Sequence, residues 1–269
     1  MTEYYMERMT WKEVEAVIAE GVDAILLPIG TTEQHGPHMP LDTDCIIARG
    51  IAERAAQAAE EAGLRVLIAP TLNVTLSWYH MQYPGSMRLS TTTFLQVFNE
   101  VCESLHHHGF RNVIVVNGHG GNVAALTVAV NYYLETTARR VFLLQWWELA
   151  GDIIGTVEGP GIHAEEAETS IALAVGQRVL MDEATIDAWD RGEAVKEAGH
   201  TWTSLGKYNL AHKGPGVTVP MDMLRDISES GVVGDARRAT PELGQRILDA
   251  LIPRVVTVIK DMSETAPPA

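Results

Sequence analysis

Residues Glu33-Gln34-His35-Gly36-Pro37-His38-Met39-Pro40-Leu41-Asp42-Thr43-Asp44 mix carboxylates with imidazoles shortly after the apolar run Ala24-Ile25-Leu26-Leu27. In an extended segment, side chains two apart share a face. Glu33 and His35 are thus placed to converge on one ion while Gly36 and Pro37 turn the chain and Asp44 returns a carboxylate. Imidazole with carboxylate suits Zn, Mn or Fe better than Ca or Mg and is typical of hydrolytic sites. A polar turn with surface histidines is the plain alternative. Two further clusters weigh against it. Val113-Ile114-Val115-Val116 leads into Asn117-Gly118-His119-Gly120-Gly121-Asn122, and a third segment reads His163-Ala164-Glu165-Glu166-Ala167-Glu168-Thr169-Ser170. The glycines beside His119 leave room for its imidazole and for a sharp turn into a helix that begins near Asn122. Ligands gather at the carboxyl ends of strands in open α/β sheets, where two of these clusters fall.

The elements that must position these groups alternate. Thr10-Trp11-Lys12-Glu13 is a capping-box start for a first helix, followed by the strand at 24–27. Helices are expected from about Cys45 to Ala62, from about Thr92 to His108 and from about Val123 to Thr137. Strands are expected at Arg65 to Ala69, Asn112 to Val116 and Val141 to Gln145. This order implies right-handed crossovers, a mainly parallel sheet and a three-layer α/β/α sandwich. Thr240-Pro241 opens a last helix whose apolar side carries Leu243, Ile247, Leu248, Leu251 and Val255, with a kink expected at Pro253. From about Met181 to Asp226 the alternation breaks. Gly192, Gly199, Gly206, Gly214, Pro215 and Gly216 punctuate a stretch holding His200, Trp202, Tyr208 and His212, which either covers the site or packs between subunits. Gly159-Pro160-Gly161 is a lid hinge or a plain tight turn.

With 269 residues and 46% hydrophobic content, one large α/β domain spanning 1–269 is expected. A formal net charge of -15 disfavours nucleic acid and anionic membrane as partners. No apolar stretch reaches the ~20 residues a membrane span needs, and the N-terminus lacks a secretory pattern, so a cytoplasmic location is expected. Cys45 and Cys102 form no C-x-x-C pair, and Cys45 reads as a small buried hydrophobe.

TTEQHGPHMPLDTD at 31–44, YPGSMRLS at 83–90, VNGHGGN at 116–122, HAEEAETS at 163–170 and SGVVGDARRATPELG at 230–244 together resemble the creatininase family of metal-dependent amidohydrolases, in register from about Trp11 to Ile259. The resemblance implies two divalent ions, Zn first and Mn or Fe next. Asp44 would bridge them, with Glu33 and His119 on one ion and His35 on the other. The family's namesake uses a Glu two residues after the histidine that matches His119, where this chain has Gly121. Glu168 is the expected replacement ligand and Glu166 the alternative, although either would also complement a helix dipole. His163 matches the histidine over the scissile group and is expected to protonate the leaving nitrogen. Ser77, His80 and Gly120 are expected to meet substrate, and Glu165, where many relatives carry Gly, to alter a pocket wall. His38 reads as structural, Asn122 as a helix cap, and His106, His107 and His108 as a complement to a helix C-terminus. Of Trp146 and Trp147, one is expected in packing and the other in the pocket wall.

The implied reaction is attack on a carbonyl by hydroxide formed from water between the ions. A cyclic or other non-peptide amide is the leading small-molecule substrate. The alternatives are a C–C bond hydrolase of a cyclic β-dicarbonyl sugar of the dehydro-inosose type, a creatininase-like peptidase, a formamide hydrolase and, outside enzymes, a binding or scaffold protein. A phosphate cradle at Gly118 to Gly121 lacks the following P-loop Lys. Creatinine is expected to be poor, because Gly121 and Gly159 stand where creatinine-active relatives carry a Glu and an aromatic. The family also implies a homo-oligomer, a hexamer.

Overall fold

Apolar runs buried on both faces form the sheet, as parallel strands require. The computed structural model describes residues 2–157, 161–187, 206–207, 217–218, 223–226 and 228–264. Strands β1 (Ala24–Ile29), β2 (Leu67–Ile68), β3 (Asn112–Asn117) and β4 (Val141–Gln145) make one parallel sheet in the order β2-β1-β3-β4. Side-chain alternation sends successive residues of each strand to opposite layers. Ile25, Leu27, Ile29, Val113 and Val115 join the cluster containing Phe94, Phe98, Leu126 and Tyr133, from α3 (Thr91–His107) and α4 (Val123–Thr137). Val17 of α1 (Trp11–Ala19), capped by the expected Thr10/Glu13 box, packs there too. Ala24, Leu26, Ile114 and Val116 face the other cluster. It holds Ile47 and Ile51 from α2 (Thr43–Glu61), Ile171 from α7 (Glu166–Ala174) and Ile247 and Leu251 from α8 (Pro241–Glu264). The result is a three-layer α/β/α sandwich.

Two elements depart from the sequence expectation. The second strand shrinks to Leu67–Ile68. The helix expected from near His163 starts at Glu166, because Ala164 adopts φ 52° and breaks the turn before it. The last helix, α8, continues through Pro253 to Glu264. After β4 the chain makes two single turns, α5 (Trp146–Leu149) and α6 (Gly151–Ile154). Ile186–Asp187 pairs antiparallel with Gly234–Asp235, and His163 bridges Val233, so the C-terminal segment closes over the third polar cluster. Among the described residues no helix is long and apolar enough to cross a membrane. Gly159, Pro160, Trp202, Tyr208, His200 and His212, like most of 181–226, lie outside the described residues.

Candidate active site

β1 and β3 end level, with Ile29 opposite Asn117, and the N-terminus of α2 is wedged onto both strand ends. A Cβ at Gly30 would fall 2.5 Å from the Cys45 nitrogen, and one at Gly118 would fall 2.3 Å from the Asp44 carbonyl oxygen. Only glycine allows this approach. It delivers Asp44, in the first turn of α2, to the point where Glu33 follows β1 and His119 follows β3.

Each imidazole is oriented by a backbone carbonyl, which can only accept. His35 Nδ1 donates to Glu33 O at 3.1 Å, His119 Nε2 to Leu76 O at 2.7 Å, and His163 Nε2 to Gln34 O at 2.8 Å. The other ring nitrogens therefore point at carboxylates. His35 Nε2 lies 3.0 Å from Asp44 Oδ1 and 3.7 Å from Glu168 Oε1. His119 Nδ1 lies 3.1 Å from Asp44 Oδ2 and 3.2 Å from Glu33 Oε1, and His163 Nδ1 lies 3.9 Å from that same Glu33 oxygen. Glu33 Oε1 and Asp44 Oδ2 are buried without a hydrogen-bond donor. Lone pairs facing buried, unpaired carboxylate oxygens need positive charge between them, so the donor set fits a cation. The ligand atoms form overlapping groups, Glu33/Asp44/His119, His35/Asp44/Glu168 and Glu33/His35/His163, each within 4.8 Å.

Proton affinities follow the same logic. Burial alone would lower the pKa of His35 and His119, but Asp44 with Glu168, and Glu33 with Asp44, outweigh it and hold both well above the usual value. Burial would likewise raise the pKa of Asp44 and Glu168, but the facing histidines, His35 foremost, keep both low. Burial lowers the pKa of His163 and His80, reinforced by His35 and His163 respectively. The neutral imidazole of His163 is thus favoured over the charged one. Burial pushes the carboxyl of Glu165 up to about 7, against the opposing Ala167 amide.

The structure separates the two candidate carboxylates on α7. Glu168 Oε2 accepts from Ala164 N at 2.5 Å while its Oε1 joins His35, whereas Glu166 lies 3.8 Å from Arg238 Nε and belongs to none of the three groups. The left-handed Ala164 is what aims that N–H. Ser77 is fully buried behind Glu33, donating to its Oε2 at 2.6 Å, and does not line the cavity. His80 does line it, with Nδ1 3.3 Å from Glu33 Oε2. Glu165 caps α7 by accepting from Ala167 N and Glu168 N at 2.6 and 3.1 Å, yet also faces the cavity. Asn122 does not cap its helix. Its Oδ1 accepts from Leu76 N at 3.4 Å, which fixes the loop that holds His119. His38 hydrogen bonds Thr169 Oγ1 at 2.9 Å in the interior, and burial drops its pKa to about 4. His106 and His107 end α3, and His106 Nδ1 donates to Cys102 O at 2.8 Å within the helix. Cys45 is buried, as expected.

The cavity of about 720 Å³ opens from Asp44, His119, His163 and Glu168 onto Gly120, Gly121, Gln145, Trp146, Trp147, Glu148 and Gly161. Both tryptophans line it. Sequence reasoning missed two residues here. Gln34, between two expected ligands, donates its amide to Gly231 O at 3.2 Å and presents its backbone carbonyl to His163. Tyr79, next to His80, stacks on His119.

The sequence pattern of the creatininase family, described as creatinine amidohydrolase, matches residues 7–259. The chain belongs to this family of hydrolases, and it is a metal-dependent hydrolase. It is 26% identical to 3-dehydro-scyllo-inosose hydrolase of Thermotoga maritima, covering 99% of this chain and 86% of that protein. It is 31% identical to the mycofactocin precursor peptide peptidase of Mycolicibacterium smegmatis over 86% of this chain and 82% of that one. Among solved structures, a putative creatinine amidohydrolase from Bacteroides fragilis superposes with a TM-score of 0.80 at 21% identity, covering 100% of both chains. Creatininases solved in a Zn-Zn form and a Mn form superpose at 0.77 and 0.76, each 22% identical and covering 98% of this chain and 100% of that one.

Proposed function

We propose that the protein is a dinuclear hydrolase that adds water to a carbonyl group of a small substrate, in first place a cyclic or other non-peptide amide. The observation that carries this reading is that Asp44 presents one oxygen to His119 and the other to His35, within two groups completed by Glu33 and by Glu168. Two ions, Zn first and Mn or Fe next, would be held by Glu33, Asp44 and His119 and by His35, Asp44 and Glu168. When bound, such ions polarise a carbonyl oxygen and acidify water to a nucleophile near neutral pH. The chain's own residues supply the proton transfers. His163 Nδ1 takes the proton of the attacking water and returns it to the departing atom, while Gln34 O keeps the ring in the required tautomer. Ser77 positions Glu33 instead of touching substrate, and His80, Gly120 and Glu165 face it.

The wall formed by Gln145, Glu148, His80 and Glu165 favours a second reading, a C–C hydrolase of a cyclic, hydroxylated β-dicarbonyl. The inosose hydrolase relative supports it. Creatinine fits this wall poorly, since Gly121 contributes no carboxylate. We further read residues 1–269 as one domain of a cytoplasmic homo-oligomer, a hexamer. The match across 7–259 and two free buried cysteines, suited to a reducing compartment, support the domain and the location.

Elemental analysis followed by a screen of lactams, formamides, cyclic β-diketones, a peptide and creatinine with Zn- and Mn-loaded protein tests the proposal. Two divalent ions per chain and turnover of a lactam or cyclic diketone are expected. Protein without stoichiometric ion sinks the reading, and efficient creatinine hydrolysis sinks the substrate assignment.

A further inference from the structure

Gly121 is flanked so closely that no side chain fits there. A Cβ would lie 2.3 Å from both His119 Nε2 and the Tyr79 hydroxyl, and 3.0 Å from the Leu76 carbonyl. The space beside His119 is filled by the Tyr79 phenol, which arrives from the turn at Trp78–His80. The ring is buried, stacked on His119 at 6.3 Å and held edge-on by His80 at 4.5 Å. Its oxygen lies 3.3 Å from His119 Nε2. That nitrogen already carries the proton it gives to Leu76 O at 2.7 Å, so toward it the phenol oxygen can only accept. The phenolic hydrogen has no acceptor among the described residues, while Tyr79 lines the cavity together with Gly120 and Gly121.

We propose that Tyr79 is a specificity-determining residue whose O–H donates to a substrate oxygen in the part of the cavity floored by Gly120 and Gly121. This rests on the hydrolase reading and names the substrate class. The ligand presents a carbonyl, hydroxyl or anionic oxygen at that position, and a group without an acceptor there leaves the phenolic hydrogen unpaired and binds more weakly. A carboxylate in the same space would select the opposite chemistry.

The test uses the metal-loaded full chain, inorganic phosphate as a probe that presents anionic oxygens, titration calorimetry, and elemental analysis of each sample. Tyr79→Phe keeps the ring and its packing and removes only the hydroxyl. The expected result is phosphate affinity about tenfold or more weaker, the scale of a hydrogen bond to a charged group, with both ions retained. Unchanged phosphate affinity with both ions retained overturns the inference. Loss of an ion also overturns it, because Tyr79 would then act only by positioning His119. Wild-type protein that holds no divalent ion is a different failure and removes the hydrolase reading itself.

Discussion

Asp44, Glu33 and His119 reach the site from backbone pressed against backbone, whereas Trp147 and Glu148 reach it from the single turn that follows β4. At Gly118 an added Cβ would meet the Asp44 carbonyl at 2.3 Å, while at Gly151, which opens the turn after the one that carries both tryptophans, it would meet nothing within 4 Å. The carboxylates and imidazoles of the ligand cradle are thus placed by sheet and helix packing, and the tryptophan side of the cavity is an attachment to it. On the proposed reading, the metal ligands and this part of the wall are carried by separate parts of the chain. That separation fits a family whose relatives share a hydrolase fold but are named for an inosose, a peptide and creatinine.

The largest effect is expected inside the cradle. Asp44→Ala should lose both ions and lower turnover roughly 10³-fold or more, the scale of lost charge stabilisation. Glu168→Gln should lose one ion, and Glu166→Gln should keep both. Two ions retained in the Asp44 variant would erase the distinction between cradle and wall. Next comes packing. Gly118→Ala should destabilise the fold by about 3 kcal/mol and Gly151→Ala by less than about 0.5 kcal/mol, measured by denaturant unfolding. Equal losses would show that the wall is as tightly built as the cradle.

The smallest effect is a pH dependence in the wall. Burial holds the folded-state pKa of Glu165 at about 7, above its ordinary 4.5. The folded protein therefore binds this proton more tightly than the unfolded chain. The stabilisation is complete below pH 4.5, shrinks between 4.5 and 7, and is gone above 7. The full shift corresponds to roughly 3 kcal/mol. In ion-free protein, wild type should thus lose stability relative to Glu165→Gln by about 2 kcal/mol between pH 5.5 and 8. A pH-independent difference would remove the carboxyl's burial as the cause.

The cradle was legible in the sequence because the segments of Glu33 and His119 each follow a short apolar strand and all three segments carry their own local pattern. The same holds for the alternation that builds the sandwich. What escaped depends on residues far apart in the chain. Gln34 meets His163 across 129 positions, and Tyr79 meets His119 across 40. Ser77 reads equally well as a wall residue or as a support for Glu33, since only the depth of burial separates the two. The late start of α7 follows from the left-handed Ala164, a conformation that alanine seldom adopts and composition does not announce.

The wedge of α2 against Gly30 and Gly118 also ties the site to the core. The contacts that seat Asp44 press backbone on backbone, Gly30 against Cys45 and Gly118 against the Asp44 carbonyl. A substitution that loosens α2 from the sheet is therefore expected to displace this carboxylate even when it lies far from the cavity. Damage to the interior would be felt at the site before the fold is lost.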